Sequence, residues 1–176
     1  NSSSSLPLVS MFHSPLPIQS RYVCGSAFTA SMKRRLLTPV IENITEADII
    51  LFAGISGDNN PMHLNEEFAK QTMFKTRIGH GMLTASLIST IVGTRIPGPG
   101  AVYLGQTMRF KAPVKPGDTV RAEVIVKEIN LEKRRVVLDT ICTVNGKIVL
   151  DGEATCLVDR RADIIAVQRA LEALAQ

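Results

Sequence analysis

The stretch of residues 81–92 constrains the fold of this chain more than any other, because it has the pattern of a helix without a properly polar face. Its apolar side chains point in almost every direction around the helix axis. Only small hydroxyls interrupt them, at Thr84, Ser86, Ser89 and Thr90. A helix that is apolar on nearly all sides is buried. We therefore predict that the rest of the domain encloses this helix.

The second half of the chain has a hydrophobic period of two, which is typical of half-buried strands. Residues 120–127 alternate between apolar and polar side chains, and residues 136–144 present a second apolar face. The pair Asn145-Gly146 is a strong signal for a two-residue hairpin that leads into residues 147–150. This half of the chain is therefore predicted to form an antiparallel meander.

Two helices are predicted ahead of the strands, over residues 44–54 with Thr45 as the cap and over residues 66–71. Helices followed by a run of antiparallel strands indicate an α+β domain. One buried helix and a long meander fit a single sheet wrapped around a helix. A terminal amphipathic helix is predicted over residues 161–176.

The folded domain is expected over residues 38–160, behind an extension of residues 1–37 with a different composition. The extension is rich in serine, contains arginine and lacks acidic residues. Such a composition is typical of an organelle transit peptide, although a disordered extension or an added tail fits it as well. We expect a cytoplasmic location, with the mitochondrial matrix as the alternative if residues 1–35 direct import.

Composition and charge exclude several classes of function. The chain has 176 residues, of which 45% are hydrophobic, and this suits one domain with its own core. No apolar run approaches the roughly 20 residues of a membrane span. Residues 1–41 carry the whole net charge of +4, so the remainder is neutral and unsuited to nucleic acid. The odd number of cysteines, without metal-like spacing, indicates free thiols.

A short polar segment carries the strongest signal for chemistry. Between Gly57 and His63 the chain contains a carboxylate at Asp58, an amide at Asn60 and a proline at Pro61. Glycine and proline form turns, so Asp58 and His63 can be held rigidly side by side. A rigid Asp/His pair suits a proton-transfer enzyme. The plainer interpretation is a surface turn in which His63 is merely packed.

Six segments in this order resemble the MaoC-like hydratases, the family of (R)-specific enoyl-CoA hydratases also called hydratase 2. They are residues 56–64 (SGDNNPMHL), 80–83 (HGML), 97–100 (PGPG), 103–106 (YLGQ), 110–114 (FKAPV) and 116–118 (PGD). The resemblance implies a single hotdog fold. It also implies hydration of trans-2-enoyl thioesters to (R)-3-hydroxyacyl thioesters.

The resemblance assigns Asp58 and His63 as the catalytic pair and the amide of Gly81 as the donor to the enolate oxygen. An N–H at the start of a helix has no partner within the helix, and the helix dipole adds positive charge there. Which member of the Asp/His pair takes the first proton is left open, because coupled groups titrate jointly.

Further site residues surround this pair. By resemblance, Ser89 lies beside the catalytic carboxylate and the acyl chain, and Ser86 shares its helix face at a spacing of three. Val92 is expected to floor the acyl pocket. His80 either lines the substrate mouth or bonds to backbone at the helix start, and we favour the second role. Asn60 is expected to brace the loop from behind.

We expect no metal and no cofactor. The residues Asp58, His63 and His80 fit neither a calcium loop nor a common zinc spacing. Glycine-rich motifs for dinucleotides or nucleoside triphosphates are absent from the sequence. The expected partner is an acyl-CoA or acyl-carrier-protein thioester. The alternatives are a 3-hydroxyacyl-carrier-protein dehydratase of fatty-acid synthesis and a hotdog protein that binds thioesters without catalysis.

We also expect a homodimer. A single sheet of this kind leaves a strand edge unpaired, and folded proteins cover such edges. Residues 101–114 mix apolar side chains with Gln106 and Arg109, and they form either part of the interface or simply an inner strand.

Overall fold

The protein is described here by a computed structural model that covers residues 39–158, together with residues 163, 165–167 and 169. Five strands and four helices follow one another in residues 39–158. In chain order they are β1 (Val40–Asn43), α1 (Glu46–Ser56), α2 (Pro61–Leu64), α3 (Glu66–Gln71), α4 (Gly81–Thr94), β2 (Ala101–Phe110), β3 (Thr119–Asn130), β4 (Arg135–Val144) and β5 (Lys147–Val158).

The five strands form one antiparallel sheet in the order β1-β3-β4-β5-β2. Helix α4 packs against this sheet and contacts all five strands. The core lies between them and consists of Leu87, Ile88, Ile91 and Val92 from α4 and alternate strand residues such as Val120, Val124, Leu138, Leu150 and Ala154. The predicted α+β fold, one sheet wrapped around a helix, is confirmed.

Helix α4 is buried along one side only, so the prediction of an enclosed helix was too strong. The residues that face solvent are Met82, Ser86, Ser89, Thr90, Gly93 and Thr94. Their spacing of three and four residues places them on one stripe of the helix. The sheet of a single chain covers the opposite side, and this stripe stays open because it lies away from the sheet.

The helices ahead of α4 begin where their caps place them. Helix α1 starts after Thr45, whose side chain accepts a hydrogen bond from the amide of Asp48 while the Asp48 carboxylate accepts one from the Thr45 amide. This is a capping box. The cap is the predicted one, and the helix extends to Ser56, two residues beyond the prediction. The predicted bounds of α3 are confirmed.

The strands agree with the alternation in the sequence. At the hairpin, Asn145 and Gly146 have φ values of 48° and 78°, which is the signature of a type I′ turn. Strand β2 lies at an edge of the sheet, so it is not an inner strand. Within the described part of the chain, none of the helices has the length and apolar character needed to cross a membrane.

Two predicted segments lie largely outside the described residues. Residues 1–37, with the targeting interpretation, are outside altogether. Of the predicted helix over residues 161–176, the described positions 163, 165–167 and 169 are helical. Ile165 and Val167 pack against the core.

The two described cysteines are buried free thiols, as predicted. Burial raises the pKa of Cys142 to about 12 and that of Cys156 to about 11. Removal from water disfavours the charged thiolate.

We expect Gly152→Ala to destabilise the fold by about 3 kcal/mol, at the upper end for overpacking, because the backbone that the new methyl group meets cannot easily move. A Cβ atom at Gly152 would lie 1.9 Å from the carbonyl oxygen of Thr107 on the neighbouring strand β2. Gly105→Ala is the matched control, since Gly105 lies in β2 and a Cβ added there would meet no atom within 4 Å. Chemical denaturation measures both variants. Equal stability of the two would contradict the close approach.

Candidate active site

The turn after α1 places Asp58. Gly57 ends the helix in the left-handed region at φ 76°, and its amide bonds to the carbonyl of Ala53. Glycine adopts this conformation without strain. The Asp58 amide then donates to Ser56 Oγ, and Asp58 Oδ1 accepts from the Asn60 amide at 3.2 Å. One carboxylate oxygen is therefore tied to the turn, and the side chain is about half exposed.

Helix α2 places His63. Asn60 caps this helix by accepting from the Met62 amide at 3.1 Å, and Pro61 occupies the first turn, where no amide is needed. His63 is 7% exposed, and its Nδ1 lies 2.8 Å from the carbonyl oxygen of Ile78. Because a carbonyl oxygen only accepts, Nδ1 carries the hydrogen. In the neutral ring Nε2 is then the atom with a free lone pair.

Asp58 and His63 are brought together without touching. Asp58 Oδ2 lies 3.9 Å from His63 Nε2, which is longer than a hydrogen bond. A water oxygen at ordinary hydrogen-bond distance from both atoms fits the gap. Since both atoms are acceptors, they can receive the two hydrogens of one water molecule.

His80 lies behind this pair and is 2% exposed. Its Nε2 is 3.0 Å from the backbone carbonyl oxygen of Asp58, so this nitrogen donates. The His80 ring contacts His63 with centroids 3.9 Å apart and Phe52 with centroids 5.0 Å apart. Two roles were expected for His80, a contact with the substrate or a bond to backbone. The structure shows the bond to backbone, which was the favoured role.

Gly81 is the first residue of α4, and the start of this helix differs from the others. Side chains cap α1, α2 and α3, whereas His80 makes no capping hydrogen bond. Among the described residues, the amides of Gly81 and Met82 have no backbone or side-chain acceptor, while those of Leu83 and Thr84 bond to the His80 carbonyl. Two amides at the positive end of the helix dipole are thus free to bind an anionic oxygen.

Phe110 was not predicted from the sequence as a site residue. Its ring lies over Gly81, so that a Cβ atom on Gly81 would be 2.7 Å from Phe110 Cε1. Phe110 lies at the end of β2 and is 54% exposed. The only signal for it was its place in the segment 110–114 of the resemblance. The ring forms a wall beside the uncapped helix start.

The predicted acyl-side residues lie further along α4. Ser86 and Ser89 are both on the solvent-facing stripe, and Ser86 Oγ donates to the Leu83 carbonyl of its own helix. Val92 is 2% exposed and lies in the core. Ser89 and Val92 are nevertheless neighbours on the helix surface, because residues three apart are adjacent.

Ligand atoms of Asp58, His63 and His80 lie within 4.8 Å of one another. Zinc bound at about 2.0–2.2 Å would hold such atoms closer together. The two imidazole rings lie against each other, with centroids 3.9 Å apart and planes inclined by 34°, and are not arranged around a common point. The geometry favours proton transfer over metal binding, and the absence of a metal stays a prediction.

A cavity of about 500 Å³ lies elsewhere, on the sheet between β2, β3, β4 and β5. It contains none of the predicted site residues. Its charged lining residues form ion pairs with one another, among them Arg109 with Asp151 and Lys127 with Glu153. Because these groups pair with each other, this cavity is a weaker candidate for the active site than the turn at Asp58.

Comparison with known proteins gives the family. Residues 27–148 match the family model described as MaoC like domain. The chain belongs to this family. An (R)-specific enoyl-CoA hydratase of Rhodospirillum rubrum is 56% identical over 120 residues, which cover 68% of this chain and 83% of the relative. A 3-hydroxybutyryl-CoA dehydratase of Methylorubrum extorquens is 49% identical over 135 residues, covering 75% of this chain and 86% of the relative.

A solved structure agrees with this family assignment. The (R)-hydratase from A. caviae superposes with a TM-score of 0.69 at 37% identity, covering 74% of this chain and 99% of that one. The sheet wrapped around α4 is therefore the hotdog fold of MaoC-like hydratases, as the resemblance implied. The protein is an enzyme, a hydro-lyase of this family, which opposes a purely binding role.

We expect Gly81→Ala to destabilise the protein by about 1 kcal/mol, because the new methyl group must displace the Phe110 ring. In the same helix Gly93 has open space around it, so Gly93→Ala is the control and should stabilise by about 1 kcal/mol. Combining Gly81→Ala with Phe110→Ala should remove the penalty in a thermal double-mutant cycle. A Gly81→Ala protein as stable as Gly93→Ala would exclude the Phe110 contact.

Proposed function

We propose that this protein reversibly hydrates trans-2-enoyl-CoA thioesters to (R)-3-hydroxyacyl-CoA thioesters with Asp58 and His63. The observation that carries the proposal is the pair of acceptors, Asp58 Oδ2 and His63 Nε2, 3.9 Å apart near an uncapped helix start. The names of the relatives from Rhodospirillum rubrum and Methylorubrum extorquens, both acting on CoA thioesters, support CoA as the carrier.

The water is oriented by both residues. One hydrogen points to Asp58 Oδ2 and the other to His63 Nε2, so an oxygen lone pair faces the β-carbon of the substrate. As the C–O bond forms, one water O–H bond breaks and its proton passes to the pair. The π electrons move onto the thioester oxygen. The proton then passes to the α-carbon as the C=O bond re-forms, so atoms and charge balance. Positioned acid–base groups of this kind contribute about 10²–10⁴-fold.

The developing charge on the thioester oxygen is assigned to the start of α4. The Gly81 amide is the proposed donor, helped by the helix dipole. Losing one such preorganised donor costs about 10²–10³-fold in rate. The Phe110 ring beside Gly81 limits the access of water, and hydrogen bonds strengthen where water is excluded.

The acyl chain is assigned to the side of α4 beyond the catalytic pair. Ser89 and Ser86 supply hydroxyls on the open stripe, and Val92 follows Ser89 by three residues and is buried in the core. A chain that passes Ser89 meets Val92 next. We therefore keep Val92 as the proposed floor of the acyl pocket.

We expect Asp58→Asn to retain its fold and to lose crotonyl-CoA hydration by about 10³–10⁴-fold, because an amide cannot take a proton. His63→Ala should be similarly inactive, and the double variant little worse than either, since the two residues act as a unit. Loss of the enoyl-thioester absorbance measures the rate. Glu67→Gln makes the same chemical change on an exposed residue of α3 and should stay active. A folded Asp58→Asn enzyme with near-normal kcat would overturn this mechanism.

The proposed assembly is a homodimer formed through β2. This edge strand exposes Val102, Leu104 and Phe110 by 49%, 46% and 54%, and the open stripe of α4 is solvent-exposed as well. Pairing the β2 strands of two copies about a two-fold axis would make one continuous sheet and hide both edges.

Light scattering should therefore give a mass near twice the 19.1 kDa of the chain. Leu104→Lys should shift the protein toward the monomer, because it places a charge in the proposed interface. Ile148→Lys is the matched control, since Ile148 is 43% exposed on the inner strand β5. An active wild-type species near 19.1 kDa at the assay concentration would refute the dimer.

A further inference from the structure

The position of the Asp58 turn depends on a contact from outside it. In the described part of the chain, the hydrogen bonds made by residues 57–60 are local except one. The exception joins the Asp58 carbonyl oxygen to Nε2 of His80, 22 residues away. This bond links the turn that carries the carboxylate to the residue that immediately precedes α4.

The same side chain supports His63 through its ring. The two imidazole planes are inclined by 34° with centroids 3.9 Å apart, and Phe52 contacts His80 as well. At 2% exposure the His80 ring has little freedom to move. It therefore limits where the His63 ring can lie.

The remaining nitrogen of His80 is left unsatisfied. Nδ1 is buried and has no hydrogen-bond partner among the described residues. Buried polar atoms without a partner are rare in native proteins and call for a reason. A phenylalanine ring would fill this space without an unpaired nitrogen, but it could not bond to the Asp58 carbonyl.

We propose that His80 is a positioning residue, which fixes Asp58, His63 and the Gly81 amide relative to one another. It bonds to the backbone of the first, packs its ring against that of the second and precedes the third in the chain. It acts through these groups and transfers no proton itself. The inference rests on the proposed hydratase function. It goes beyond that function because it gives His80 a role: this residue holds the base and the oxyanion donor so that both face the same substrate.

The test compares three variants of the full-length protein, assayed by crotonyl-CoA hydration. His80→Phe keeps the ring and removes the donor. His80→Gln loses the ring but places an amide N–H close to the position of Nε2. His80→Asn carries the same amide on a shorter side chain that does not reach the Asp58 carbonyl.

We expect His80→Phe to lower kcat by about 10- to 100-fold, because small displacements of catalytic groups have effects of this size. KM should change less than about threefold. The melting temperature should change little, because losing the hydrogen bond to the Asp58 carbonyl and removing the unpaired nitrogen have opposite effects on stability. His80→Gln should recover at least tenfold in kcat over His80→Asn. A merely structural role would instead lower stability and leave kcat of the folded enzyme unchanged.

Wild-type kcat in His80→Phe would overturn the proposal. If His80→Phe does not fold, the Gln and Asn variants decide instead, and equal kcat for those two would overturn it. Asp58→Asn and His63→Ala are assayed beside them. If these two retain activity, the proposed function fails; if they are inactive while His80→Phe behaves as wild type, only the role of His80 fails.

Discussion

The packing of α4 against the sheet is the constraint on which the rest of this structure depends. Leu87, Ile88 and Ile91 are almost fully buried against the strands, and this contact fixes both the axis and the rotation of the helix. Once the axis is fixed, the uncapped start at Gly81 has a fixed position. The turn with Asp58 and the short helix with His63 are then assembled against that end of α4.

Much of this architecture could be predicted because local signals specify it. The period-two alternation gave the strands, Asn145-Gly146 gave the hairpin, and Thr45 gave the start of α1. The four-residue elements β1 and α2 were missed, because they are too short for any periodicity to develop. The exposed stripe of α4 was missed for a different reason. Sequence shows how apolar a helix is, but not how much of it one chain is able to cover.

The candidate site was predictable to a lesser degree. The local spacing of Asp58 and His63 predicted their proximity, since only four residues, one of them Pro61, lie between them. The contacts that orient them are long-range: Ile78 accepts from His63, and His80 donates to the Asp58 carbonyl. The contact of Phe110 with Gly81 is long-range as well. No pattern of residue types determines such contacts before the chain is folded. The family resemblance implied the roles of these residues. The structure adds the contacts that hold their side chains in place.

The two buried cysteines have a practical consequence. With their pKa values near 12 and 11, Cys142 and Cys156 hold their protons at neutral pH and are shielded by the core. Alkylating reagents react with the thiolate, so these positions become reactive only when the sheet separates from α4. Their rate of labelling therefore measures how often the whole domain opens. It reports the stability of the same helix–sheet contact that holds the candidate site, in a protein without tryptophan to provide an optical signal.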